Sequence, residues 1–135
     1  MSAQPEREGV RVVELAVLSR GQSGNGVLWT LGRSSDLNVN LARLEPGAEV
    51  GEHVNTEVEV VLVALEGSGW VVVDDAAHPV EPASLAFVPR GARRAIRAGA
   101  TPLVYLSIHR HREGLRVRSG AERGAHPRTG RSPTC

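Results

Sequence analysis

Short runs of Val, Leu, Ile and Thr recur between clusters of Gly, Pro, Asn and Asp, and this punctuation limits the fold more than any other feature of the chain. The runs cover 10–18, 27–32, 37–45, 58–66, 69–74, 84–89, 93–97 and 103–110. None sustains a helical period, so the spacing predicts about eight strands in an all-β sandwich or barrel. Asn25-Gly26 and Asp74-Asp75 have the residue types of hairpin tips, where positive φ is required. In LNVNLARLEPG the alternation puts Asn38 and Asn40 on one face and Leu37, Val39 and Leu41 on the other. VVLVALE, in contrast, is apolar on both faces. A strand of that kind needs cover twice, once from the barrel interior and once from another sheet or a second subunit. This predicts a homodimer joined through the outer faces of 58–66 and 69–74.

The length of 135 residues suits one domain around a single core. A lone cysteine, Cys135, excludes an internal disulfide and a thiolate zinc cluster, in keeping with a reducing cytoplasm. MSAQPEREGVRVVELAVL places acids and a proline before a short apolar stretch broken by Glu14, unlike a signal peptide or a membrane span. A cytoplasmic protein with no membrane partner is expected.

The formal net charge is +1, but its distribution is uneven. Residues 44–89 hold Glu45, Glu49, Glu52, Glu57, Glu59, Glu66, Asp74, Asp75 and Glu81 with no Arg, whereas 90–135 hold eleven Arg against Glu113 and Glu122. In a compact β fold these halves lie side by side and neutralise each other. Nucleic-acid binding is not expected, because Arg93, Arg94 and Arg97 on one strand point to both faces. The stretch 119–135 has no aromatic residue to stack on bases and too few large apolar residues to pack, so it reads as a flexible basic tail. Residues 1–36 read as N-terminal strands, part of the barrel or a dimer arm, and 37–110 as the barrel core. The chain lacks a P-loop, a G-x-G-x-x-G, a G-x-S-x-G and an H-E-x-x-H. Trp29 and Trp70 read as core or interface side chains. His78, His111 and His126 fall in turn or tail contexts and receive no role.

Two stretches carry a more specific signal. GAEVGEHVNTEVEVVLVALEG, from Gly47 to Gly67, and ASLAFVPRGARRAIRA, residues 83–98, resemble the two motifs of the cupin family, G-x5-H-x-H-x3,4-E-x6-G and G-x5-P-x-G-x2-H-x3-N. The resemblance spans roughly 37–110 and implies a double-stranded β-helix, the jelly-roll barrel. Gly47, His53, Gly67, Pro89 and Gly91 match, while Asn55 replaces the second histidine, Ala83 the first glycine of the second motif, Arg94 its histidine and Ala98 its asparagine. Counting forward from Asn55 puts Glu59 at the acidic position, whereas counting back from Gly67 puts Val60 there. One residue decides which side chain faces inward, and the shared parity of His53, Asn55, Glu57 and Glu59 favours Glu59.

The resemblance implies a metal site of imidazoles and a carboxylate, and here that inventory is altered. The guanidinium of Arg94 has no lone pair and repels a cation, so no cofactor is expected at that place. In its stead a polar cluster of His53, Asn55, Glu57, Glu59 and Arg94, with Asn38, Asn40, Tyr105, Ser107 and His109 lining the wall, would hold a small polar or carboxylate ligand. A non-catalytic binding or accessory protein is the reading preferred. The alternatives are a metal-dependent enzyme of dioxygenase or isomerase type that binds a divalent transition metal through His53, Glu59 and His109, and a structural or regulatory dimer whose pocket is closed by an internal salt bridge.

Overall fold

The computed structural model describes residues 9–54 and 56–112. A five-residue helix, α1 (Leu15–Ser19), precedes nine strands: β1 (Gly26–Thr30), β2 (Leu37–Leu44), β3 (Glu49–Val54), β4 (Val60–Glu66), β5 (Gly69–Val73), β6 (Ala76–Val80), β7 (Leu85–Val88), β8 (Arg93–Ala98) and β9 (Leu103–Arg110). They form two antiparallel sheets, of order β1-β2-β9-β4-β7 and β3-β8-β5-β6, with the core between them. The described fold is thus all-β, as the punctuation predicts. Among the described residues no helix is long and apolar enough to cross a membrane.

Period-two alternation decides what each strand gives the core. Ala42 and Leu44 of β2, Val60, Leu62 and Ala64 of β4, Val88 of β7, and Leu103 and Tyr105 of β9 meet Val71, Val80, Ile96 and Ala98 of the other sheet. Fully burying one such Val, Leu or Ile contributes about 1.5–3 kcal/mol. The acidic and basic halves of the chain do meet, across the smaller sheet: Arg93 lies 3.4 Å from Asp75, Arg97 lies 3.8 Å from Glu49, and the Arg93 N–H donates to Asp74 Oδ1.

Several expectations need correction. Residues 10–18 do not form a strand; good helix formers in ELAVL make the short turn of α1, whose Ser19 hydroxyl donates to Glu66 Oε2 at 2.7 Å and ties the helix to the end of β4. The stretches 49–54 and 76–80 are strands although neither reads as one: β3 is rich in charge, and β6 contains Pro79, which an edge strand tolerates. The outer faces of β4 and β5 do not join, because a Gly-Ser-Gly turn carries the chain from one sheet to the other. The stretch 119–135 lies outside the described residues.

Gly67 shows why the turn after β4 requires glycine. It has φ +74°, and a Cβ there would lie 1.8 Å from the Pro102 carbonyl oxygen.

Candidate ligand-binding site

Three strands change from apolar to polar along their inward faces. On β9 the order is Leu103, Tyr105, Ser107, His109, and on β2, paired antiparallel in register, it is Leu44, Ala42, Asn40, Asn38. Leu44 pairs with Leu103 and Asn38 with His109, so the polar ends coincide. On β8 the order is Ala98, Ile96, Arg94. Ile96 shares a small apolar cavity with Leu103 and Tyr105, while Arg94 is close enough to His109 for its charge to act on the imidazole. The lumen therefore has an apolar end and a polar end.

At the polar end the side chains are almost completely enclosed: Arg94 is 3%, Ser107 0% and His109 4% exposed. Burial, the largest effect, pushes the His109 pKa below its ordinary value; the hydrogen bond to the Arg110 carbonyl opposes it, and the charges of Arg112, Arg94 and His111 add to the depression. His109 is therefore neutral at pH 7. Its Nδ1 lies 2.8 Å from the Arg110 carbonyl oxygen, which fixes the proton on Nδ1 and leaves the Nε2 lone pair as an acceptor. Ser107 Oγ has no hydrogen-bond partner among the described residues. A buried hydroxyl left in that state costs about 1–3 kcal/mol. Thr30 Oγ1 donates to Asn40 Oδ1 at 2.7 Å and Asn40 Nδ2 to Asn38 Oδ1 at 3.0 Å, a relay that leaves the Asn38 NH2 as a donor.

The expected site residues divide accordingly. Arg94, Tyr105, His109 and Asn40 stand on the inward faces of their strands, and the backbone of His53 pairs with Arg94. Asn55 lies outside the described residues. Glu59 does not take the inward position; it is exposed, and Val60, 1% exposed and paired with Val88, takes it. Val58, Val60, Leu62 and Ala64 form one unbroken inward row, and burying a carboxylate in place of a valine there would forfeit apolar burial and desolvate a charge. Glu57 is likewise exposed. The count from Gly67 is the correct one, and burial of Val58 is the signal that selects it.

Among the described side chains the donor set differs from the one the family resemblance implies. Among the described residues no three His, Cys, Asp or Glu side chains form a metal-binding group, Glu59 points away, and a buried guanidinium occupies the place of a ligand. A second feature was not legible beforehand: a cleft of about 360 Å³ at the seam between β1–β2 and β3, lined by Val27, Ala42, Leu44, Val50, Tyr105 and Arg43. Tyr105 thus stands between an apolar cleft and the polar lumen end. The inward parity of Ala42 and Leu44 was the available clue; the approach of β3 was not.

Two curled antiparallel sheets closing over a lumen define a double-stranded β-helix. No family model and no curated protein sequence matches the chain. Solved structures do. TT1209 from Thermus thermophilus is similar over 77% of this chain and 100% of its own, with a TM-score of 0.68 and 26% identity. The Cnp3 cupin domain of Schizosaccharomyces pombe is similar over 78% of this chain and 77% of its own, with a TM-score of 0.61 and 20% identity. A sugar phosphate isomerase of the cupin superfamily from Silicibacter pomeroyi shares 30% identity at a TM-score of 0.53, over 57% of this chain and only 52% of its own. The fold is that of the cupins.

Proposed function

We propose that this cupin-fold chain is a non-catalytic binding protein for a small carboxylate, with Arg94 as the fixed positive charge in place of a metal. The observation that carries the reading is Ser107: its hydroxyl is fully enclosed on the lumen face and has no hydrogen-bond partner among the described residues, two residues along β9 from the neutral His109, on which the Arg94 charge acts. A bound carboxylate accepts hydrogen bonds from Arg94, Ser107 and the Asn38 amide, which recovers the unpaired hydroxyl. The remainder of a short ligand lies toward Tyr105 and the apolar wall. The fold alone does not define this function, since cupin-like neighbours carry different names. One observation favours a second reading, in which the lumen is closed by an internal ion pair of Arg94: its side chain is only 3% exposed.

Calorimetric titration with acetate, malonate and inorganic phosphate separates the two; phosphate is included because one similar protein is a sugar phosphate isomerase. Wild type binds a carboxylate, and Arg94→Met, folded by circular dichroism, weakens it by about tenfold or more, as expected for loss of a charge-assisted bond. Arg94→Lys, which keeps the charge without the planar fork, gives an intermediate loss. Absence of carboxylate binding in the wild type, or equal affinity in wild type and Arg94→Met, overturns the proposal.

A further inference from the structure

We propose that the carboxylate ligand carries an apolar tail and that this tail occupies the cleft between β1–β2 and β3, an inference that rests on the carboxylate reading given above. The ligand class is then a short- to medium-chain alkanoate. Strand register sets the two parts of such a site side by side. Ala42 pairs with Tyr105 and Asn40 with Ser107, so one two-residue step along β2 and β9, about 7 Å, separates the polar lumen end from the apolar wall. Tyr105, 2% exposed, lines both the cleft and the small apolar cavity it shares with Ile96 and Leu103. A carboxylate held at Ser107 therefore has Tyr105 next to it along β9, with Val27, Ala42, Leu44 and Val50 beyond.

The lining of the cleft selects an uncharged occupant. Its volume, about 360 Å³, lies in the range of small-ligand sites. Arg43 and Glu49 also line it, and each is already engaged: Arg43 donates to the Gly24 carbonyl and lies 3.0 Å from Glu45, and Arg97 lies 3.8 Å from Glu49. A charged group in the cleft would lose its hydration and find both of these charges taken. Methylene groups gain by leaving water for the same place. The chain offers little of its own to fill the space. Residues 1–8 and 113–135 contain only Met1, Leu115 and Val117 as large apolar side chains. β9 also ends at the polar end of the sheet, where the His111 N–H donates to the Asp36 carbonyl.

Calorimetric titration of the full chain with acetate, butanoate, hexanoate and the neutral hexanol tests this. In the wild type affinity rises along the acids, by about tenfold from butanoate to hexanoate, the size that further buried methylenes supply. Hexanol, which lacks the charge, binds about tenfold more weakly than hexanoate. Val27→Trp, at a position 43% exposed on the cleft wall, lowers the ratio of hexanoate to acetate affinity toward unity. Val50→Phe narrows the cleft from the β3 side and serves where Val27→Trp fails to fold. Acetate that binds with no gain from chain length overturns the inference and leaves the carboxylate reading standing; no binding by any of the acids overturns both. Hexanol that binds as tightly as hexanoate, or a ratio unchanged in both variants, overturns the inference as well. So does a chain-length gain that appears only when Leu115→Ser and Val117→Ser are combined, which assigns the cleft to the chain's own C-terminal segment.

Discussion

His109 shows what a single buried residue contributes to pH dependence. Its pKa is depressed in the folded state chiefly by burial, while the unfolded chain titrates near the ordinary value of 6.5. Below that value the unfolded state takes up a proton that the folded state does not, so stability is full at neutral pH and falls as the pH drops through 6.5 toward the lower folded pKa. The melting temperature of the wild type is expected to drop more steeply between pH 7 and pH 5 than that of His109→Gln; parallel curves would show that His109 does not govern acid stability. His109 and Arg94 were both legible in the sequence, the first from alternation along LVYLSIHRH and the second from its place after Pro89 and Gly91. The orientation of Glu59 was not, because two motif landmarks disagreed by one residue and only the packing of Val58 and Val60 decides between them.

Turns preserve the fold where the chemistry has changed. Asp74 and Asp75 both have positive φ, 48° and 73°, and close the two-residue β5–β6 hairpin that their residue types announced. Ala83 stands where the family motif has glycine, and it keeps the glycine conformation at φ 73°, with its N–H donating to the Ala64 carbonyl. An L-residue held there costs about 1–2 kcal/mol, part of which the larger unfolded-state entropy of glycine offsets. Ala83→Gly is therefore expected to stabilise the protein by about 1 kcal/mol, read as a higher denaturant midpoint at unchanged slope. A lower midpoint would contradict that account. Strands with clean apolar patterning, such as β2 and β9, were legible because burial on one face imposes the period. β3 escaped notice because EVGEHV carries two glutamates, a glycine and a histidine, and it pairs with β8 through backbone hydrogen bonds that side-chain patterning does not report.

At the scale of the whole molecule, the number and spacing of apolar segments sufficed for the barrel, and the motif glycines and Pro89 sufficed for its kind. The segregated charges resolve as cross-strand neighbours on the smaller sheet, where exposed pairs such as Arg93–Asp75 contribute little to stability and mainly balance the field. The two apolar strands 58–66 and 69–74 were expected to share an outer face, but a strand apolar on both sides does not say which sheet it enters, and β4 and β5 enter different ones. The central proposal is that the buried guanidinium of Arg94, in the place the family resemblance gives to a metal ligand, holds a carboxylate at one end of the lumen. A crystal structure of the wild-type protein, purified without chelator and grown with malonate, tests that claim most directly. The account predicts a carboxylate with its oxygens about 2.7–3.2 Å from the Arg94 guanidinium and Ser107 Oγ, and no transition-metal peak in the anomalous map. A metal ion bound by His109 and His53 at the polar end, or a lumen whose Arg94 and Ser107 remain out of reach of any carboxylate, would contradict it.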